Sequence, residues 1–486
     1  MTETQRRLRL CDLSVPGRQA IRFPEPDVPF AELPEGLTRQ DLPLPELSEV
    51  DVVRHFTRLS ALNYCIDVGM YPLGSCTMKY NPKINEETAR LPGFAFTHPL
   101  QPVETVQGNL ILMYEVQEWL KEIAGYAGVS LQPAAGAQGE LTGVLIIRAY
   151  HASRNDIRRN KMLIPDSAHG TNPATSAMSG VQVVELPSDK RGNVDLDALG
   201  AQCDETLAGL MLTNPNTLGL FDEHVEEVTH LVHEAGGLVY GDGANLNALL
   251  GIVRPGDLGI DVLHYNLHKT FSTPHGGGGP GSGPVGVTAH LVDFLPAPIV
   301  GIVEEGDDEI PPLYGFITPS KSIGRVKSFH GQFGVIVRAY TYMLMNGVEG
   351  LRKVSECAVL NANYLMALMR NQYHLPYDRV CMHEFVLEGQ WPDAPEIHAL
   401  DISKRMMDYQ LHPPTNYFPL IVHEALMIEP TETESKQSLD AFADIMIKIA
   451  EEAHTEPELL KSAPHITPVG RLDEVKAAKD LVLWRR

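Results

Sequence analysis

Positive charge is scarce in this 486-residue sequence, in which 39 Lys and Arg residues stand against 62 Asp and Glu residues, for a formal net charge of −23. Such a surface repels phosphate backbones and anionic lipid head groups, so neither a nucleic acid nor a membrane is an expected partner. Apolar runs are short, and none approaches the roughly 18 residues that a membrane-spanning helix needs. We therefore expect a soluble protein.

Cysteine is also scarce, and the spacing of the cysteines excludes two common uses. None belongs to a C-x-x-C pair, and their density is too low for a disulfide framework. The first residues, MTETQRRLRL, lack the apolar segment of a secretory signal. We expect reduced thiols and a cytoplasmic location. The six cysteines are Cys11, Cys65, Cys76, Cys203, Cys357 and Cys381.

The length suffices for two or three domains, and a hydrophobic fraction of 43% allows a sizeable core. Residues 1–50 are rich in proline and charge and are predicted to form an extended arm that wraps a partner subunit, or a loosely ordered tail. Residues 51–125 have helical patterns. Residues 126–320 are predicted to form a large cofactor-binding domain, and residues 321–486 a smaller α+β domain at the C-terminus.

Short apolar segments alternate with amphipathic segments in the large domain. The segment 222–235 has apolar residues at helical spacing, with Asp222 as a candidate cap and Gly236 as a stop. Strands that alternate with helices predict an α/β fold with a mostly parallel sheet. The predicted strands are 161–165, 181–186, 208–213, 237–242 and 261–266.

Ligands of open α/β sheets bind beyond the carboxyl ends of the strands, so the residues that follow each strand are the candidates for a site. The loop 133–143 precedes a helical segment and is rich in small residues. Gly136, Ala137 and Gln138 could expose backbone N–H groups to a phosphate there. The loop lacks the GK[ST] of a nucleotide-binding P-loop. An ordinary connection is the alternative.

Three polar side chains follow the next strands. His169 could stack on a flat heteroaromatic ring, or it could be a hydrogen-bonded structural histidine. Asn214 could donate a hydrogen bond, or it could belong to an Asn–Pro turn. Asp242 follows an apolar strand, where a carboxylate is costly without a cationic partner such as a protonated pyridine. A turn aspartate is the alternative.

Lys269 follows the last of these strands and precedes the glycine run Gly276–Gly279. A lysine there could act as a nucleophile, whereas a solvated lysine before a mobile loop is the alternative. The order along the chain is phosphate loop, stacking residue, amide, carboxylate and lysine. This order matches what pyridoxal 5′-phosphate (PLP) requires. The chain resembles the fold-type-I PLP superfamily, which has the aspartate-aminotransferase-like fold.

Several local segments are more specific and resemble glycine decarboxylase, the P-protein of the glycine cleavage system. The resemblance covers about residues 50–455. In fused members of that family only the C-terminal half carries PLP, and this chain has about the length of one half, as in the second subunit of a two-subunit form. The segments are LGSCTMK (73–79), GAQGE (136–140), IPDSAHGTNPA (164–174), DGANLNA (242–248), NLHKTF (266–271), PHGGGGPG (274–281), HEF (383–385) and MIEPTETES (427–435).

The resemblance implies a reaction and a set of site residues. PLP would be bound covalently by Lys269, with Asp242 at the pyridine nitrogen, His169 stacked on the ring and His268 nearby. Glycine would be decarboxylated, with release of CO₂ and transfer of the aminomethyl group to the lipoyl arm of the H-protein. A first glycine decarboxylase subunit would complete a heterotetramer with two copies of each chain. No metal ligands are implied.

Some alternatives remain open at the level of sequence. Lys79 could be the cofactor lysine, and Cys76 could be a nucleophile as in PLP-dependent desulfurases. The chain could be an aminotransferase or an amino-acid decarboxylase of free substrates, or a subunit without PLP that serves as a scaffold. Three arginines are equal candidates for binding the glycine carboxylate: Arg325, Arg338 and Arg405.

Overall fold

The computed structural model describes residues 9–34, 36–39, 42–275 and 281–483. The chain divides into two units, residues 1–68 and residues 69–486.

In the first unit, a 3₁₀ helix, Leu10–Leu13, and an α-helix, Glu49–Ser60 (α1), flank a segment whose described residues form no helix or strand. Ser48 caps α1. The backbone N–H of Val15 donates to the Glu46 carbonyl at 3.0 Å, which ties the two ends of the segment together. Its apolar side chains are exposed, including Ile21, Phe23, Val28, Phe30, Leu33, Leu37, Leu42 and Leu44.

The second unit contains a seven-stranded sheet with the order β1-β7-β6-β5-β4-β2-β3. Strand β7 is antiparallel to both of its neighbours, and the other pairs are parallel. The five strands predicted from the sequence are confirmed, with ends that agree to within one residue. The predicted α/β class with a mostly parallel sheet is also confirmed. The strands are Gly128–Ser130 (β1), Lys161–Pro165 (β2), Gln182–Leu186 (β3), Leu207–Thr213 (β4), Leu238–Gly243 (β5), Val262–Tyr265 (β6) and Val285–Val287 (β7).

Helices cover this sheet and continue toward the C-terminus. They are Lys83–Ala89 (α2), Pro92–Ala95 (α3), Gln107–Ala124 (α4), Gly136–Ser153 (α5), Thr171–Met178 (α6), Leu196–Gln202 (α7), Val225–Glu234 (α8), Phe333–Met369 (α9), Ala399–Asp408 (α10), Lys436–Thr455 (α11), Pro457–Ser462 (α12) and Glu474–Lys479 (α13). Further 3₁₀ helices are Val103–Thr105, Leu246–Ala248, Pro255–Leu258 and Ala289–Phe294. Within the described chain, no helix has the length and apolar character needed to cross a membrane.

Adjacent residues of β5 point to opposite sides of the sheet, as strand geometry requires. Tyr240 joins a core cluster with Ile146 of α5, whereas Val239 joins another with Val228 of α8. The sheet is therefore buried on both faces, which explains why its strands are almost continuously apolar.

The helix predicted over 222–235 is α8, but it begins only at Val225, and Asp222 does not cap it. Asp222 instead accepts hydrogen bonds from the backbone N–H groups of His224 and Val194, both at 2.8 Å, which shape the turn before the helix. Gly236 follows the helix with a φ of +79°, as expected for a glycine stop.

Helix α5 begins at Gly136, so most of the predicted loop 133–143 is helical, and that prediction is wrong. The two glycines inside the helix have a packing role. A Cβ atom at Gly139 would lie 2.9 Å from the Gly283 carbonyl oxygen, and one at Gly143 would lie 2.5 Å from the Tyr240 ring. These glycines allow α5 to lie close to the sheet.

The C-terminal part contains a three-stranded antiparallel sheet of Phe385–Glu388 (β10), Ala425–Ile428 (β12) and Thr415–Asn416 (β11), in that order. Strands Ile299–Glu304 (β8) and Leu313–Ile317 (β9) form a separate pair. The long helix α9 is interrupted at Gly347, where φ is +59°. Leu73 forms a β-bridge with Ile428, which attaches the LGSCTMK segment to the three-stranded sheet.

Candidate active site

A cavity of about 260 Å³ lies beyond the carboxyl ends of β4, β5 and β6, where ligand sites of this sheet type are expected. It is lined by residues from several separate segments of the chain, which are Ser75, Ala135, Gly136, Ala137, Glu140, His169, Thr171, Thr213, Thr217, Asp242, Ala244, Asn245, His264, Asn266, His268 and Lys269.

Three of these residues form one row across neighbouring strands. The parallel register pairs Thr213 with Asp242 and Asp242 with His264. All three are buried. The Thr213 hydroxyl has no hydrogen-bond partner among the described residues. The row therefore presents a hydroxyl, a carboxylate and an imidazole to the same edge of the sheet.

The imidazole in this row is neutral. The Asn266 amide donates to Nε2 of His264 at 2.7 Å, so the ring proton lies on Nδ1, which is 2.5 Å from the Tyr240 hydroxyl. Burial lowers the pKa of His264, in spite of the nearby Asp242 carboxylate. Asp242 accepts a hydrogen bond from the Ala244 backbone N–H at 2.9 Å. Nε2 of His264 lies 3.5 Å from Oδ1 of Asp242, but because that ring is neutral, no cation of the described chain pairs with Asp242, and it is available to a cationic ligand.

Lys269 lies beyond β6 and is half-buried, and its Nζ donates to the Ser75 carbonyl at 2.9 Å. Ser75 has a left-handed backbone, with a φ of +63°. Its N–H donates to Oε2 of Glu384 at 2.7 Å. The amine is thus oriented by a strained turn that a carboxylate from the three-stranded sheet supports. The glycine run Gly276–Gly279 lies outside the described residues.

The N-terminus of α5 faces the same cavity. Gly136 and Ala137 line it, and the backbone N–H groups of a first helical turn suit an anion. A Cβ atom at Gly136 would lie 2.6 Å from Oδ1 of Asn266, which explains why this position is glycine. The Gln138 side chain does not line the cavity. It accepts a hydrogen bond from the Ala134 N–H and donates to the Val326 carbonyl, both at 2.6 Å.

The other predicted site residues differ in their placement. His169 and His268 both line the cavity. The His169 ring is exposed, and its Nδ1 lies 2.9 Å from the Thr171 hydroxyl. Burial, followed by the influence of His275, lowers the pKa of His268 to about 3, so its ring is neutral. Asn214 does not line the cavity; its Oδ1 accepts from the Asp222 N–H at 3.0 Å, and Thr213 is the residue that faces the space.

Glu140 is a site residue that the sequence interpretation missed. Its buried carboxylate accepts a hydrogen bond from the Thr171 hydroxyl at 2.8 Å. Burial and the nearby Asp242 carboxylate raise the pKa of Glu140 to about 8. Helical spacing could have revealed it, because residues four apart share one face of a helix and Gly136 was already a candidate. Residues two apart along a strand face the same side of the sheet, so the spacing of His264 and Asn266 could also have indicated that their side chains meet.

The alternative residues have other partners. Lys79 is buried and donates to Glu432 at 2.8 Å. The Cys76 Sγ lies 3.7 Å from Nδ1 of His275, but burial raises the pKa of this thiol, which keeps it protonated and weakly nucleophilic. None of the three candidate arginines lines the cavity: Arg338 pairs with Glu86, Arg405 pairs with Glu452, and Arg325 donates to the Phe329 carbonyl.

These groups together suit PLP. The α5 N-terminus fits an anion, Asp242 fits a cationic ring nitrogen, the unpaired Thr213 hydroxyl can bond a ring substituent, and Lys269 can react with a carbonyl group. Each of these four contacts would come from a different part of the cavity wall, and the residues that line the cavity supply all four.

Comparison with known proteins gives a family and a fold. A family model described as "Glycine dehydrogenase, C-terminal domain" matches residues 354–465. Proteins named "Probable glycine dehydrogenase (decarboxylating) subunit 2" are similar over nearly the whole length. The protein from Caldanaerobacter subterraneus subsp. tengcongensis is 59% identical, covering 98% of each chain. The protein from Pyrococcus abyssi is 56% identical, covering 98% of this chain and 95% of its own.

Among solved structures, the crystal structure of glycine decarboxylase (P-protein) of the glycine cleavage system, in inhibitor-bound form, matches with a TM-score of 0.71. It is 22% identical and the match covers 85% of this chain and 92% of that one. Sphingosine-1-phosphate lyase from Burkholderia pseudomallei matches with a TM-score of 0.62 at 13% identity, covering 87% and 95%. These two likenesses support the fold.

The raised pKa of Glu140 predicts a pH dependence of stability. The carboxyl group is protonated in the folded chain below about pH 8 but is ionised in the unfolded chain above its ordinary pKa of 4.5. The free energy of unfolding is therefore highest below about pH 4.5, falls progressively as pH rises from about 4.5 to about 8, and changes no further from this group above that pH. Each unit of pKa shift corresponds to about 1.4 kcal/mol, so a loss of a few kcal/mol is expected.

Urea unfolding of the ligand-free chain at about pH 5 and about pH 9 measures this loss. The Glu140→Gln variant should lose less stability over this range than the wild type. Glu205→Gln, which changes an exposed glutamate paired with Arg158, serves as the control and should behave like the wild type. Equal pH dependence in Glu140→Gln and the wild type would contradict the assignment.

Proposed function

The chain belongs to the family of glycine dehydrogenase (decarboxylating) subunit 2, and on that premise we propose that it decarboxylates glycine with PLP and releases CO₂. The remaining aminomethyl group passes to the lipoyl arm of a carrier, the H-protein. The enzyme is then a glycine dehydrogenase (aminomethyl-transferring), also called glycine decarboxylase. The observation that carries the proposal is the buried Asp242, which has a neutral histidine neighbour and faces the same cavity as Lys269.

PLP, when bound, supplies an electron sink for the electron pair released as the C–CO₂ bond breaks. Lys269 would hold the cofactor covalently through its amine. Asp242 would keep a proton on the ring nitrogen, because a buried carboxylate favours the charged form of its partner. The neutral His264 does not compete for this role, since its Nε2 already accepts from Asn266.

The remaining contacts position the cofactor. The first-turn N–H groups of Gly136, Ala137 and Gln138 would bind the phosphate. His169, which lines the same cavity, would stack on the ring. Thr213 takes the place that the sequence suggested for Asn214, because its hydroxyl faces the cavity and is unpaired among the described residues. His268 lies beside the lysine as a neutral wall residue.

Glycine–bicarbonate carboxyl exchange tests the function directly. Exchange should require this chain and its partner subunit, and it should rise when the lipoylated carrier is added. Visible absorbance of the bound cofactor without any dependence on the carrier would instead favour an aminotransferase or a decarboxylase of free amino acids. A colourless protein would favour a scaffold subunit without PLP.

The partner in this proposal is a first glycine decarboxylase subunit, in a heterotetramer with two copies of each chain. The relatives are named as second subunits, which supports a partner. The exposed apolar side chains of the first unit, such as Phe23 and Phe30 at 85% and 87% exposure, support an arm that binds another surface.

We place the protein in the cytoplasm. All six cysteines are free thiols, which suits a reducing compartment. Fractionation of cells that express the untagged chain tests this location, and recovery with a soluble cytoplasmic marker is expected.

Replacement of Lys269 by alanine should abolish both the visible absorbance of the bound cofactor and the exchange activity, because no other amine lines the cavity among the described residues. Borohydride treatment of the wild type, followed by peptide mapping, should place the cofactor on Lys269. A label on Lys79 would contradict the assignment, and the ion pair of Lys79 with Glu432 explains why none is expected.

Replacement of Asp242 by asparagine should leave some cofactor bound but lower exchange at least about 100-fold, since an amide does not keep the ring nitrogen charged. The exchange rate at saturating glycine and the cofactor content are measured together. The control is Asp257→Asn, which changes an exposed carboxylate paired with Arg254 and should leave both values unchanged. Near-normal exchange in Asp242→Asn would refute the role.

Deletion of residues 1–45 should weaken association with the partner while the cofactor still binds. Ordering an extended arm costs roughly 1–2 kcal/mol per residue in backbone entropy, and a partner surface can offset that cost. Size measurements of the mixed subunits and absorbance of the isolated chain test the two parts separately. Full carrier-dependent exchange by this chain alone would refute the two-subunit assignment.

A further inference from the structure

Two carboxylates lie directly opposite each other at the end of the three-stranded sheet. The antiparallel register pairs Phe385 of β10 with Ile428 of β12, so the next opposed positions are Glu384 and Glu429. Both are buried, at 0% and 1% exposure. Like charges at opposed positions destabilise a ladder, and burial raises that cost further. The pair therefore requires compensation.

A histidine completes the group. His383, which precedes β10, is fully buried. Its Nε2 lies 3.9 Å from Oε1 of Glu384 and 4.0 Å from Oε1 of Glu429. One ligand atom from each of the three residues lies within 4.8 Å of the other two. A nitrogen of His383 and a carboxylate oxygen of each glutamate are thus close enough to contact one bound ion after small side-chain movements.

The groups at this point have few protein partners. Among the described residues, neither ring nitrogen of His383 and neither carboxylate oxygen of Glu429 has a partner within ordinary hydrogen-bond distance. The buried Thr77 hydroxyl lies beside Glu429 as a more distant donor, which acts to lower the pKa of that carboxylate. Buried polar side chains nearly always have close partners, so these four ring and carboxylate atoms of His383 and Glu429 indicate a ligand.

The neighbouring cations do not supply the compensation. Lys269 donates to the Ser75 carbonyl and not to a carboxylate of the cluster. Lys79 pairs with Glu432. Among the described residues, the donors to Glu384 are two neutral groups, the Ser75 N–H at 2.7 Å and the Asn245 amide at 3.4 Å. Two carboxylates thus lack a directly bonded cation within the described chain.

We propose that His383, Glu384 and Glu429 bind one divalent transition-metal ion, such as Zn²⁺ or Mn²⁺, with the Thr77 hydroxyl as an adjacent donor. One imidazole nitrogen with two carboxylate oxygens suits such an ion, whereas Ca²⁺ and Mg²⁺ prefer oxygen ligands alone. Two carboxylates balance a charge of +2. Bound at about 2.0–2.2 Å, tetrahedral ligands lie roughly 3.4 Å apart, which requires the side chains to close inward from their present separations.

Protons compete with this ion. Burial, followed by the neighbouring Glu384, raises the pKa of Glu429 well above its ordinary value, and burial raises the pKa of Glu384 to about 7. A metal ion must displace these protons, so its affinity should fall as pH falls. The ion would also hold Glu384 in place. Glu384 accepts a hydrogen bond from the Ser75 N–H, and the Ser75 carbonyl accepts one from Lys269, so the ion would stabilise the turn that orients the lysine.

The experiment measures metal content of the purified two-subunit holoenzyme after the affinity tag is removed. The protein is stripped with a chelator, incubated with Zn²⁺ or Mn²⁺, desalted and analysed by inductively coupled plasma mass spectrometry. About one ion per chain is expected. His383→Asn and Glu429→Gln should each bind the ion at least about tenfold more weakly. Cofactor absorbance reports whether each variant is folded.

The matched control is His374→Asn. His374 lies 3.9 Å from Glu388 in the same sheet region, but its side chain is 66% exposed and belongs to no cluster. This variant should keep the wild-type metal content. Melting temperature provides a second readout, because added Zn²⁺ should raise Tm by a few degrees in the wild type and the control but not in His383→Asn.

Two results would overturn the proposal. The first is a wild-type content below about one ion per ten chains after loading, which would assign the cluster to protons alone. The second is equal metal content in His383→Asn and the wild type. If neither cluster variant folds, zinc-edge X-ray absorption of the loaded wild type decides the matter: imidazole and carboxylate ligands support the site, and a shell without imidazole refutes it.

Discussion

The buried carboxylate of Asp242 is the group on which the arrangement of the active site depends. It lies between Thr213 and His264 in one row of a parallel sheet and is 5% exposed. The surroundings do not neutralise it, because Asn266 holds the histidine in a neutral form. A site with this property favours a cationic ring nitrogen, and the protonated ring of PLP is such a ligand.

A second constraint comes from the three-stranded sheet. The end of its central strand, β12, holds the LGSCTMK segment through the bridge between Leu73 and Ile428, and Glu384 supports the Ser75 turn. The amine of Lys269 depends on that turn for its orientation. The residues that position the lysine thus come from segments roughly 200 and 110 positions away from it, which only folding joins.

Burial keeps two titratable groups of the cavity wall neutral by shifting their pKa values in opposite directions. It lowers the pKa of His268 to about 3 and raises the pKa of Glu140 to about 8, although both residues line the same space. Because His268 and Glu140 are neutral, Asp242 and Lys269 are the groups of the cavity that can interact with charged groups of a ligand. Burial and specific hydrogen-bond donors, such as the Asn266 amide that donates to His264, decide which side chains of the site are neutral.

The sequence by itself determined the five central strands, the α/β class and the residues at their carboxyl ends, because buried parallel strands are continuously apolar and functional residues follow them. It also identified the cavity residues Lys269, Asp242 and His169.

Only the tertiary structure decided the rest. The predicted loop proved to be helical from Gly136 onward, and Gly143 allows this helix to pack against Tyr240 of the sheet. Thr213 replaced Asn214 because strand pleating decides which neighbour faces a cavity. The cluster of His383, Glu384 and Glu429 arises from strand register, a pairing between distant segments that local sequence patterns do not encode.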